Sequence, residues 1–264
     1  MKKLTSLALV FALLMVIAGT ALAGSYASEI SSIHSRFSRQ DSSASSAPQQ
    51  EVNGSYRMVE LLEIWALEKK CDSSDVSSIH SRFSRQDSSA SSAPQQLVNG
   101  LYRNVELLEL IALKMGCDYS DVSSIHSRLS RQDSSAKSAV QQQVNGSYRT
   151  VELLELIALK LGCDYSDVSS IHSRLSRQES SASSAVQQLV NGSYRTVELL
   201  ELIALKLGCD YSDVSSVHSR LSRQDSSASS AVQQGVNGLY RSVELLELIT
   251  LKLDSSPFSG GSLF

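Results

Sequence analysis

Two helical rhythms alternate along this chain. In the stretch that starts at Ser120, Val122, Ile125 and Leu129 recur at spacings of three and four, and Val168, Ile171 and Leu175 repeat the series one copy later. Everything between them is Ser, Arg or His, so the spacing predicts a helix with one narrow apolar stripe. Ser120 or Ser166 is its expected N-cap, followed by an acidic residue that suits the helix dipole. The second rhythm is denser. Over 151–161, Glu152, Glu155 and Lys160 share one arc, and Leu153, Leu154, Leu156, Ile157, Leu159 and Leu161 cover the rest. A helix that is apolar around more than half its circumference needs neighbours on two or more sides. Asn104, Thr150, Thr196 and Ser242 precede the four later copies of this segment as expected caps, with Met58 in the first.

A Ser/Ala tract such as "QDSSAKSAVQQQVNG" joins the two. Ala136, Val140 and Val144 would allow one long continuous helix, whereas Asp133 would cap a separate one. Pro48 and Pro94 stand at the Val140 position in earlier copies. Proline costs about 3 kcal/mol in a helix interior but is tolerated in a first turn, so a break within the tract is predicted. Asn145-Gly146 and its copies are expected to end that segment, because glycine accepts the left-handed conformation that closes a helix. Tyr56, Tyr102, Tyr148, Tyr194 and Tyr240, each followed by Arg, then fall between helices. Gly162-Cys163 and its copies are expected to close the last helix of each unit.

The whole pattern has one period. His34, His80, His126, His172 and His218 are 46 residues apart, and so are Cys71, Cys117, Cys163 and Cys209. Five units follow, at 28–73, 74–119, 120–165, 166–211 and 212–257, preceded by a short lead at 24–27 and followed by a flexible tail at 258–264. A constant period of this size marks a repeat architecture. The expected fold is all-α: tandem helical repeats stacked as a solenoid-like array, with weaker Ser/Ala-rich segments. Trp65 and "EKKC" in the first unit, and Asp254-Ser255 in the last, read as end caps whose outer faces meet water. In period and helix content the chain is similar to armadillo- and HEAT-type arrays, a likeness of architecture that implies no function.

The first 23 residues read differently. Lys2 and Lys3, an apolar run from Leu7 to Ala18, and Ala21-Leu22-Ala23 form a secretory signal peptide with cleavage expected after Ala23. Its loss takes away two lysines and no acid, moving the formal net charge from −3 to −5. Without a basic cluster, nucleic acid is disfavoured as a partner. No later segment is apolar enough to span a bilayer, so the mature chain is expected not to insert stably in a membrane. Export to the periplasm or the extracellular space follows as the expected localisation.

The recurring polar residues carry the candidate chemistry. Each cysteine is either a small buried thiol or a disulfide partner, since export permits disulfides. One Cys and one His nine residues apart make a weak metal signal, and neither CxxC nor HExxH occurs; no metal is expected. His34, His80, His126, His172 and His218 lie one step off the apolar stripe. With Arg82, Arg128, Arg174 and Arg220 they form a ladder that could face a partner, or be neutralised by glutamates of the dense helix. The five Tyr-Arg steps form a second candidate binding row. "NGS" at Asn53, Asn145 and Asn191 fits a glycosylation acceptor if the host is eukaryotic. No nucleophile elbow, phosphate loop or dinucleotide fingerprint is present. An enzyme is therefore not expected, nor is a cofactor. The reading is an exported, non-enzymatic binding or structural scaffold with multivalent contacts to an unknown protein or cell-surface partner, and self-association left open. The alternative is a secreted precursor or flexible repeat polymer whose units act singly.

Overall fold

The computed structural model describes residues 26–255 apart from positions 45, 91, 137, 183 and 229. The expected signal peptide at 1–23 and the tail at 258–264 lie outside the described residues. Ten helices and no strand are found among those residues. They alternate short and long: α1 Ala27–Ser43, α2 Ala47–Glu68, α3 Ser73–Ser89, α4 Ala93–Lys114, α5 Tyr119–Ser135, α6 Ala139–Lys160, α7 Tyr165–Ser181, α8 Ala185–Lys206, α9 Tyr211–Ser227 and α10 Ala231–Ser255.

The expected break falls inside the Ser/Ala tract. Ser46, Ser92, Ser138 and Ser184 take extended backbone conformations and start the long helices. Pro48 and Pro94 stand in the first turn, where a missing N–H costs nothing. Where valine replaces proline, the hydroxyls of Ser138 and Ser184 accept hydrogen bonds from the backbone N–H of Gln141 and Gln187. The first four long helices then run on for 22 residues each and the last for 25. At their ends Gly116, Gly162 and Gly208 adopt φ near +80°. There Cys117 N donates to Ala112 O and Gly116 N to Leu113 O, the double bond of a Schellman ending. The first unit lacks this glycine, and Lys70 takes the positive φ instead.

Four local expectations are overturned. Asn145-Gly146 and its copies do not end a segment but lie inside the long helices, and Thr150 is no cap, since its hydroxyl donates to Gly146 O within α6. The five tyrosines are consequently helical too, not between helices. Glycine serves spacing here rather than termination. A Cβ on Gly146 would stand 3.1 Å from Leu101 Cβ and from the Tyr102 ring of the neighbouring α4. The fourth correction concerns Ser120 and Ser166. The caps of the short helices are Asp118 and Asp164, whose carboxylates accept from the N–H groups of those serines.

The long helices pack side by side as α2, α4, α6, α8 and α10, and α10 also packs on α2 with the same intimacy as the internal neighbours. The stack is therefore a closed ring, and the expectation of water-facing end units is corrected. Gly54 of α2 meets Leu239 and Tyr240 of α10 just as Gly146 meets Leu101 and Tyr102. Matching levels meet at each interface, so the five long helices run parallel. Tyr26 N donates to Asp254 Oδ1 at 2.9 Å across the seam. Trp65, read as a cap residue, is completely buried.

Inside the ring, side chains four and three residues apart face the axis, the 3.5-residue rhythm of a coiled-coil seam. Leu62, Leu108, Leu154, Leu200 and Leu246 form one buried layer, and Trp65 with Ile111, Ile157, Ile203 and Ile249 forms the next. The short helices make an outer layer. Each packs on the long helix of its own unit and, more lightly, on the long helix before it; for α1 that earlier helix is α10. Their stripes, Val76 and Ile79 through Val214 and Val217, are buried as the spacing predicts.

Candidate functional site

The ladder of histidines and arginines occupies the outer helices, and its charged groups are paired. Arg82, Arg128, Arg174 and Arg220 each bind a glutamate on the long helix of the same unit: Glu106, Glu152, Glu198 and Glu244, at 2.9–3.0 Å. Arg36 does the same with Glu60 at 3.1 Å. The same five glutamates also accept from Arg57, Arg103, Arg149, Arg195 and Arg241, the arginines that follow the tyrosines. Those second arginines are buried. Burial pulls the pKa of Arg57, Arg103, Arg195 and Arg241 down, against the opposing pull of the glutamate.

The histidines reach the other way. His80, His126, His172 and His218 lie 3.0–3.1 Å from Glu63, Glu109, Glu155 and Glu201 on the preceding long helix. His34 completes the set with Glu247 at 2.9 Å, joining the first outer helix to the last long one. Each outer helix is thus pinned by Arg to its own unit and by His to the unit before. Burial raises the pKa of all five of these glutamates, with the His contacts opposing. At His80 burial works to lower the pKa, but the hydrogen bond and charge of Glu63 outweigh it and the net direction is up.

The tyrosine row is interface rather than surface. Tyr148 is buried and the other four are half-buried. The Tyr56 ring meets Phe83 of the next outer helix edge-on, centroids 4.7 Å apart. Asn53, Asn145 and Asn191 are buried in helices, a poor place for a glycan. Cys71, Cys117, Cys163 and Cys209 are free and half-buried. The Sγ atoms of Cys117, Cys163 and Cys209 stand 3.6–3.7 Å from a carbonyl of the next long helix, and burial raises the pKa of all four thiols. A raised pKa keeps sulfur as the unreactive thiol at neutral pH.

What sequence reasoning missed lies between the outer helices. A groove of about 490 Å³ is floored by Leu110 and Leu113 of α4 and walled by Arg82 of α3 and by Tyr119 and His126 of α5. Tyr119, Tyr165 and Tyr211 are 72–73% exposed, and Leu113, Leu159, Leu205 and Leu251 are 36–39% exposed. The unit frame holds the signal: tyrosine follows Cys-Asp in three copies, whereas Ser73 and Ala27 take its place in the others. The described residues hold no grouping of three or more His, Cys, Asp or Glu able to bind a metal. No helix among them is long and apolar enough to cross a membrane. The fold is all-helical and consistent with a structural or interaction protein. Comparison of the chain with protein-family models, with curated proteins and with solved structures gives no match in any of the three.

Proposed function

We propose that the protein is an exported, non-enzymatic scaffold that binds a protein or cell-surface partner through repeated grooves on the outside of the ring. The observation that carries this reading is the exposed tyrosine-leucine pair. An exposed tyrosine is 72–73% open to solvent in three consecutive units, with an exposed leucine from the preceding helix beside the first of them in the groove. Exposed apolar groups gathered in a groove and rimmed by charge are the usual mark of a contact surface. Repetition makes the contact multivalent, so affinity gathers with the number of grooves engaged.

Export rests on the basic start, short apolar run and Ala-Leu-Ala site at residues 1–23. The mature chain recovered from the periplasm or medium is expected to begin at Gly24 on N-terminal sequencing; a start at Met1 removes export from the reading. The His, Arg and Tyr rows act in this scheme as the framework that holds the grooves in place. The buried interior shared by all five long helices weighs against units that act singly.

The test replaces Tyr119, Tyr165 and Tyr211 by serine one, two and three at a time and measures retention of the mature protein on its host's envelope fraction. Retention should fall stepwise, with unchanged circular dichroism. Equal retention by the triple variant rules the grooves out.

A further inference from the structure

The groove between α3 and α5 has two chemically different ends. It runs from Asp75 to Arg82 on α3 and from Tyr119 to His126 on α5, about 10 Å along each helix. At one end the charged groups are paired: Arg82 binds Glu106 at 3.0 Å, and His126 meets Glu109 at 3.1 Å. Arg103, the second arginine on Glu106, is buried. At the other end stand Asp75, Leu113 and Tyr119, because α4 finishes at Lys114 just before α5 begins. Asp75 is exposed and forms no ion pair among the described residues. Lys114 lies toward Cys71 and Asp72, at the turn into α3. This end of the groove therefore offers an unpaired carboxylate, an exposed aromatic ring and an apolar floor.

The same three groups recur. Asp121 and Asp167 hold the place of Asp75 in the next two units, both exposed and without an ion pair among the described residues. Leu159 with Tyr165, and Leu205 with Tyr211, accompany them. The other two unit boundaries keep an acid, Asp213 or Glu29, but have Ala27 and Ser73 at the tyrosine position. Three consecutive units thus combine the acid with the ring, and two carry the acid alone.

We propose that each of these three groove ends receives an arginine or lysine side chain, so that the partner of the scaffold is a basic protein segment laid across consecutive units. This occupant presupposes the scaffold reading above, in which the grooves are the contact surface. The aliphatic stem of such a side chain covers the exposed leucine. Its cationic head meets the negative face of the tyrosine ring and makes a charge-assisted hydrogen bond to the aspartate. The formal net charge of −3 on the chain favours the encounter and opposes an acidic partner. A lipid headgroup fits less well, since it would occupy one end and leave the rest of the groove to water.

Fluorescence anisotropy on the mature protein tests the choice of partner, with a labelled peptide of arginine, leucine and serine as the probe and the same peptide with glutamate for arginine as the control. The basic peptide is expected to bind and the acidic one not. The triple variant Asp75→Asn, Asp121→Asn, Asp167→Asn should weaken binding by about tenfold or more, with unchanged circular dichroism. Asp213→Asn, at a boundary without tyrosine, should leave the affinity as it was. An equal loss from Asp213→Asn alone overturns the proposal, because diffuse attraction would then suffice. So does equal binding of the two peptides, or binding of phosphatidylcholine vesicles without binding of the basic peptide. If the basic peptide fails while the tyrosine variants still lose retention on the envelope fraction, the scaffold reading stands and the basic partner alone is excluded.

Discussion

Burying a carboxyl beside the bundle axis, as α2 does with Glu51, ties stability to pH. Burial alone pushes this group from its ordinary value of 4.5 up to about 7. A carboxyl whose folded pKa is raised binds its proton more tightly in the native state. Its protonated form is therefore favourable at acid pH, and stability is lost as pH rises from about 4.5 through 7. Glu51→Gln removes this dependence. By urea unfolding the variant should match wild type at pH 4 and exceed it at pH 8 by up to about 3 kcal/mol; equal curves at pH 8 would show an unstrained carboxylate. Gly235 on α10 makes the burial feasible, because a Cβ there would lie 2.6 Å from Glu51 Oε1. The spacing glycines give a second residue-scale expectation. A Cβ on Gly238 would stand 2.8 Å from Ser193 Cβ. Gly238→Ala should therefore lose about 1–3 kcal/mol in thermal or chemical unfolding, despite alanine's better helix propensity. A stabilised variant would show that α8 and α10 are not in close contact.

Between elements the decisive contacts are the glutamates that hold two arginines. Glu106 accepts from Arg103, which is buried, and from Arg82, which is partly exposed. Glu106→Gln leaves the buried guanidinium without its counter-charge and should cost about 2–4 kcal/mol, whereas Arg82→Gln should cost under about 1 kcal/mol. Similar losses for both would mean that α4 does not bury Arg103. Much of this layer was legible beforehand. The stripe Val122, Ile125, Leu129 specified the buried face of α5, and Pro48 and Pro94 located the helix break to within a turn. Gly116-Cys117 marked a true helix end. Asn145-Gly146 misled because local chemistry is the same for a glycine that stops a helix and one that lets a neighbour approach. Only the tertiary partner, Leu101 of α4, distinguishes the two. The histidine and arginine ladders were readable as rows. Their glutamate partners also recur in every unit, but nothing in one copy says that His reaches back a unit while Arg stays within its own.

At the scale of the molecule, closure is the property that sequence did not disclose. Repetition announces stacking, while the rotation from each unit to the next, a fifth of a turn where five units close, decides between an open array and a ring. That rotation depends on how closely neighbouring long helices approach, as at Gly54 and Gly146. Residues that differ at the ends, Trp65 and Asp254, read naturally as caps, yet one fills the axis and the other accepts a bond from Tyr26 N across the seam. Because seam and internal interfaces are alike, a circular permutant should be tolerated. Joining residues 26 and 255 by a short linker and opening the chain between 160 and 165 should leave a cooperative melt within a few degrees of wild type; a permutant that fails to fold would show an inequivalent seam. The central claim is tested most directly by pulsed electron-spin distance measurement in a chain with its four cysteines replaced. Spin labels at 34 and 247 span the seam, and labels at 80 and 63 span the equivalent internal contact. A closed ring gives both pairs the same short, narrow distance distribution. A long or broad distribution for 34 and 247 beside a short one for 80 and 63 would mean that the array is open.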